Sequence, residues 1–91
     1  MKNVILTGSS SGFGLQAAKT IAAQGHTVYA TMRDIKGRNA ASARDLSSWA
    51  ADHKARIEVV ELDVTNESSV KKAIAQITKS SGGVIDVLVN N

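Results

Sequence analysis

"TGSSSGFG", residues 7–14, packs three glycines and four hydroxyls into eight positions, directly behind the apolar run Val4-Ile5-Leu6. A turn this flexible and polar, leaving what reads as a buried strand, suits two chemistries. It can cradle a phosphate, or it can present a nucleophilic serine. The phosphate reading needs glycines for three jobs: a sharp turn off the strand, close approach of backbone to a pyrophosphate, and tight packing of helix on strand. Gly8, Gly12 and Gly14 can fill them. A helix starting here also offers unpaired N–H groups and the positive end of its dipole to an anion. Ser9, Ser10 and Ser11 add hydroxyl donors, and Phe13 sits inside the turn. The missing G-K-[ST] excludes a nucleotide-triphosphate P-loop.

The nucleophile reading rests on Gly8-Ser9-Ser10-Ser11-Gly12, which matches G-x-S-x-G and would make Ser10 the elbow serine of a hydrolase. An elbow serine needs an acid and then a histidine after it in chain order. The histidines here are His26 and His53, placed before the second strand and at a helix end. Such an elbow also follows several strands, whereas this turn follows the first.

Outward from the turn, strand and helix patterns alternate. Asn3 to Leu6 reads as a buried strand. A helix spans Gly12 to Gln24, with Leu15, Ala18, Ile21 and Ala22 on one side and Gly25 ending it. Thr27 to Thr31 is β-branched and aromatic, a second strand. A helix is expected from about Ala40 to His53, with Leu46, Trp49 and Ala50 on its inward side, and a strand over Ile57 to Leu62. Thr65 or Asn66 can cap a third helix whose inward face is Val70, Ile74 and Ile77, and Gly82-Gly83 stops it. Val84 to Val89 is the fourth strand, interrupted by Asp86, which is expected at an edge or beside an N–H partner. The order β-α-β-α-β-α-β predicts an α/β fold. Its strands are expected to form a parallel sheet with right-handed crossovers.

Composition narrows the classes. The 91 residues are 43% hydrophobic, contain no cysteine and carry a net charge of +3 with basic residues scattered. One Phe, one Tyr and one Trp leave no base-stacking platform, so nucleic acid is not expected. No stretch is long and apolar enough for a signal peptide or a membrane helix, and the cytoplasm is the expected location. Trp49 reads as a packing residue, and His26 and His53 as solvent-facing.

Four motifs in order, "TGSSSGFG", "VYATMRD" (28–34), "ELDVT" (61–65) and "DVLVNN" (86–91), resemble the short-chain dehydrogenase/reductase family across essentially the whole chain. "VYATMRD" looks most like members acting on steroids, retinoids and other carbonyl compounds. Phe13 stands where that family usually has Ile. The resemblance implies that Asp63 accepts from an adenine amino group, with the Val64 N–H at the ring, and that Asn90 contacts the cofactor ribose. On the residues alone, Asp63 reads as a turn residue capping the next helix and Asn90 as a strand-ending Asn tying loops together.

The family's catalytic Ser and Y-x3-K pair lie beyond the N-N motif, and no position within 1–91 matches them. The resemblance therefore implies that residues 1–91 are the amino-terminal β-α-β-α-β-α-β portion of a Rossmann-type, doubly wound parallel sheet, part of a single dinucleotide-binding domain. We expect this half, inactive alone, to belong to an oxidoreductase moving hydride between a nicotinamide cofactor and an alcohol or carbonyl substrate. A homo-oligomer is expected by resemblance. The rival reading is a non-catalytic dinucleotide sensor or scaffold. Sites that choose NAD place an acid at the end of the second strand. Here that position is Met32, followed by Arg33, which can pair with a 2′-phosphate, so NADP(H) is expected over NAD(H). A competing count, about 20 residues beyond the turn, makes Asp34 the ribose acid. It falls past the strand end, where it would more easily serve the loop.

Overall fold

In the computed structural model, which describes residues 1–10 and 12–90, the chain alternates strand and helix. The elements are β1 (Asn3–Leu6), α1 (Gly12–Ala23), β2 (Thr27–Met32), α2 (Ala40–His53), β3 (Arg56–Glu61), α3 (Glu67–Ser81) and β4 (Val87–Val89). Every strand pair is parallel, and the order across the sheet is β3-β2-β1-β4. β1 is thus central, with Ile5 opposite Tyr29 on one side and Leu88 on the other. All four carboxyl ends point the same way, the arrangement expected of a doubly wound sheet.

Side-chain alternation sorts the strands onto two faces. Leu6, Val28, Ala30 and Met32 pack with Ala18 and Ala22 of α1 and Leu46 of α2. The opposite parity, Tyr29 and Val60 with Ile5 alongside, packs with Ala73 and Ile77 of α3. Glu58, on the same face as Tyr29, accepts hydrogen bonds from Gln76 Nε2 (3.0 Å) and Ser80 Oγ (3.2 Å), which anchors α3 across β3. Burial first, then the Glu58 charge, pushes the Tyr29 phenol up from its usual value. It is therefore a neutral core residue at any ordinary pH.

Two sequence expectations shift. Ile74, assigned inward on α3, is 55% exposed, while Ala73 is buried beside Tyr29 and Val60. A helix lying against a tyrosine leaves room only for a methyl at its nearest point, and the next residue is turned about 100° away. The fourth strand is also shorter than its apolar run, beginning at Val87 instead of Val84. Asn3 intervenes: its Nδ2 donates to the Val84 carbonyl (2.8 Å), and its backbone N–H donates to Asp86 Oδ2 (2.8 Å). Asp86 N–H returns a bond to the Asn3 carbonyl (2.9 Å). The acid that interrupts the apolar run thus has the N–H partner expected of it and fixes where β4 enters the sheet. Asn66, the second of the two proposed caps, caps α3 through Ser69 N–H.

Trp49 is half-buried rather than core. Its ring stacks on His53 (centroids 4.2 Å apart), and Lys19 Nζ lies 5.7 Å from its centroid. His26 is also half-buried, and its Nδ1 accepts from the Lys2 N–H, so only His53 keeps the solvent exposure expected of both.

Leu46 is fully buried between α2 and the sheet. Leu46→Ala should therefore lower unfolding stability by about 2–5 kcal/mol in urea titrations. Ile74→Ala, despite its apolar type, should change it by no more than about 0.5 kcal/mol.

Candidate functional site

The chain leaves β1 at Leu6 and must reverse into α1 within five residues. Gly8 and Gly12 take positive φ (65° and 58°), a region where a β-carbon is strained. Ser9 is fully buried, and its hydroxyl donates to the Leu6 carbonyl at 2.9 Å. Thr31, near the end of β2 and also buried, donates to that same carbonyl at 3.3 Å. Ser9 N–H in turn donates to the Thr31 carbonyl at 3.1 Å. The turn is thereby sewn to two adjacent strand ends. This corrects the assignment of Ser9 as a hydroxyl donor toward a ligand, because its hydroxyl is engaged inside the protein.

At the carboxyl ends of the strands lies a cavity of about 390 Å³. Five of the residues singled out in sequence meet there: Gly8, Ser10, Arg33, Val64 and Asn90. Thr7, Thr31, Met32 and Leu62 complete the walls, with Arg38 and Asn39, which sequence reading passed over. Those last two stand six or so residues past the strand, and no motif marks them. Only their clustering with Arg33 in a basic loop would have drawn notice.

The remaining candidates lie around the cavity rather than in its walls. Gly12 begins α1, and a β-carbon on it would meet, among the described residues, no atom within 4 Å apart from its chain neighbours and the backbone of its own helix. Phe13 is 76% exposed on the first turn of α1, and Gly14 is buried beneath it. Ser11 lies outside the described residues, as does Asn91, the second residue of the N-N pair. Asp63 borders a neighbouring depression shared with Arg33 and Arg38. Its Oδ1 accepts from Thr65 N–H (3.0 Å) and Thr65 Oγ1 (2.7 Å), the turn role that the residues alone suggested. The Thr65 hydroxyl bond, then its backbone bond, holds the Asp63 carboxyl below its ordinary 3.8, and Arg33 contributes least. Asn90 is tied to the turn, since Thr7 Oγ1 donates to Asn90 Oδ1 at 3.1 Å and Thr7 N–H to the Val89 carbonyl at 3.0 Å.

Met32 closes β2 with its side chain in the apolar core, and Arg33 follows it, exposed. Asp34 serves the loop, as its place past the strand suggested: its Oδ2 accepts from Arg38 N–H at 2.9 Å. The hydrolase reading fails on topology. Ser10 follows the carboxyl end of β1, whereas His26 precedes β2 and His53 ends α2 ahead of β3, at the opposite edge of a parallel sheet. Strands of this length separate the two edges by roughly 13–20 Å, so no histidine reaches Ser10. Among the described residues no cluster of His, Cys, Asp and Glu could hold a metal ion, and no helix is long and apolar enough to cross a membrane.

Residues 2–91 match the short chain dehydrogenase family, and the chain belongs to it. It is 35% identical over 88 residues to a 3-ketodihydrosphingosine reductase of Bacteroides thetaiotaomicron, which covers 97% of this chain and 27% of that protein. Among solved structures, L-sorbose reductase from Gluconobacter frateurii, complexed with NADPH and L-sorbose, is 34% identical with a TM-score of 0.74. A hydroxysteroid dehydrogenase from Escherichia coli is 28% identical with a TM-score of 0.81. Each covers 99% of this chain, which corresponds to 32% and 36% of those proteins. The chain thus spans about a third or less of the length of these relatives.

Two outcomes follow from the bonding around the turn. Ser9→Ala and Thr31→Val should each lower stability by about 0.5–1.5 kcal/mol, since the Leu6 carbonyl keeps one hydroxyl partner. The double variant should lose more than the sum in a urea double-mutant cycle, and strict additivity would show that the two bonds are independent. For Asp63, a depressed folded-state pKa means that its ionised form stabilises the fold fully above the unfolded value. That contribution is lost as pH falls through the lower folded value. Carboxyl NMR should place its midpoint below 3.8, and Thr65→Val should move it upward. An unmoved midpoint would remove Thr65 as the main cause.

Proposed function

We propose that the intact protein is an NADP(H)-dependent oxidoreductase acting on an alcohol or carbonyl substrate, and that residues 1–91 hold the adenosine and pyrophosphate end of the cofactor. The observation that carries the reading is the cavity at the strand ends, whose walls, among the described residues, include Arg33 and no Asp or Glu. Family membership supports oxidoreductase chemistry, and an NADPH complex of a 34% identical relative supports the phosphorylated cofactor. When bound, the cofactor supplies or accepts the hydride. The residues of this chain bind and orient it.

In this reading the Gly8–Gly14 turn takes the pyrophosphate, and Gly12 keeps clear the space that a β-carbon would enter. The positive end of α1 and the Ser10 hydroxyl favour the anion. Ser11, by sequence, adds a further donor. Asp63 and Val64 border the adenine, with Asp63 Oδ2 left for an amino group while Oδ1 holds Thr65. Asn90 presents its backbone to the ribose while its side chain secures Thr7. Arg33 gives a planar, permanently charged fork to the 2′-phosphate, where an acid would repel it. The proton-transfer residues belong, by family pattern, beyond Asn91. We place the protein in the cytoplasm, and expect it to be a homo-oligomer on the family pattern.

A charge-assisted contact of this kind contributes roughly 1.5–3 kcal/mol, or about ten- to a hundredfold in affinity. Arg33→Ala in the intact protein should weaken NADPH binding by that factor and leave NADH binding nearly unchanged. If the ratio of the two dissociation constants, measured by calorimetry, equals that of the parent, the NADP reading fails.

A further inference from the structure

The loop that follows β2 is built rather than merely connecting. Asp34 sits at its centre in the left-handed region (φ 49°), an uncommon place for a residue with a β-carbon. Its carbonyl accepts from Gly37 N–H (3.2 Å) and Asn39 N–H (3.0 Å), and its carboxylate accepts from Arg38 N–H (2.9 Å). A β-carbon at position 37 would lie 2.6 Å from Asp34 Oδ1, so glycine there lets the carboxylate close over the turn. Asn39, at the start of α2, turns its side chain back to donate to the Arg33 carbonyl instead of capping the helix. Arg33 and Arg38 are thus held at the two ends of one small, cross-linked turn, and both line the cavity at the strand ends.

Both arginines also border the neighbouring depression that Asp34, Glu61 and Asp63 line, and each of these acids accepts a hydrogen bond from within the protein. Glu61 Oε1 accepts from Ile35 N–H (3.3 Å), Asp63 Oδ1 accepts from Thr65, and Asp34 serves Arg38 N–H. Among the described residues neither arginine makes an ion pair; the pair within 4.0 Å is Lys71–Glu67, on the outer face of α3. Arg33 and Arg38 both line a cavity whose walls, among the described residues, include no Asp or Glu, so an anion placed there is attracted by both. A dianionic phosphoryl group satisfies both, because each fork can donate two parallel bonds.

We infer that Arg38 is a second cation for the phosphate assigned to Arg33, and that Asp34 is the positioning residue that delivers it. The inference rests on the NADP(H) reading and deepens it. Asp34 is then neither a ribose acid nor a bystander. Its charge opposes a phosphate, yet its hydrogen bond sets the loop that binds one.

The test is calorimetry on the intact protein with two probes, 2′,5′-ADP and 5′-AMP, which differ only in the 2′-phosphate. The parent should prefer 2′,5′-ADP. Arg38→Ala should weaken 2′,5′-ADP by about tenfold and leave 5′-AMP within about twofold, with Arg38→Lys intermediate. Asp34→Ala removes a negative charge, which by electrostatics alone would tighten 2′,5′-ADP; weaker binding in this variant therefore reports lost positioning. Asp34→Asn, which keeps an acceptor oxygen for Arg38 N–H, should retain parental affinity or better. If Arg33→Ala abolishes the preference and Arg38→Ala does not, the role of Arg38 is overturned and the cofactor reading stands. If the parent itself shows no preference for 2′,5′-ADP, the cofactor reading falls and this inference with it.

Discussion

The carbonyl of Leu6 is the point on which the site depends. It ends the central strand, it lies next to a fully buried side chain, and two buried hydroxyls from different elements donate to it. One comes from the glycine-rich turn and the other from β2, so a single acceptor fixes the turn against its neighbour strand. The return bond from Ser9 N–H to the Thr31 carbonyl closes the link. In a buried setting such bonds are electrostatically stronger than in water, and an acceptor left without them carries a desolvation penalty. The position of the turn therefore follows from the sheet and not from the turn's own flexible sequence. Gly8 and Gly12 supply the allowed dihedrals, and Leu6, Ser9 and Thr31 decide where those dihedrals point.

The same division governs charge. The net charge of +3 is small and scattered in sequence, yet the folded chain assembles a cavity whose walls, among the described residues, hold two arginines and no Asp or Glu. It does so by giving each nearby carboxylate a local task. Asp34 closes the loop on Arg38 N–H, Glu61 holds Ile35 N–H, and Asp63 pins Thr65. An acid satisfied by local donors is a weaker competitor for a guanidinium, and Arg33 and Arg38 border both the cavity and the depression that these acids line. Hydrogen bonding in the loops and the placement of basic residues at the strand ends are in this way one arrangement.

Much of the fold was legible because it rests on local periodicity. Among the described residues the helices and strands fall within a few residues of their expected bounds, and parallel pairing follows from helices too long to leave hairpins. The errors came where one residue acts across the sheet. Ile74 faces solvent because Tyr29, 45 positions earlier, dictates which α3 residue lies nearest the sheet. Val84 to Asp86 stay out of β4 because Asn3 engages them from the far end of the chain.

The motifs by themselves determined the family, the alternation of strands and helices and the turn where a phosphate can be held, since glycine spacing and apolar alternation are properties of neighbouring residues. They also named Arg33, which is readable as the first polar position after a strand. Three things only the tertiary structure decided. Ser9 is internal bracing, Asp34 is a loop post, and Arg38 joins Arg33 at one cavity. Each depends on which donor a side chain meets in three dimensions. A serine or an aspartate in a polar stretch has many possible partners in sequence, and folding leaves it the few that lie within bonding distance.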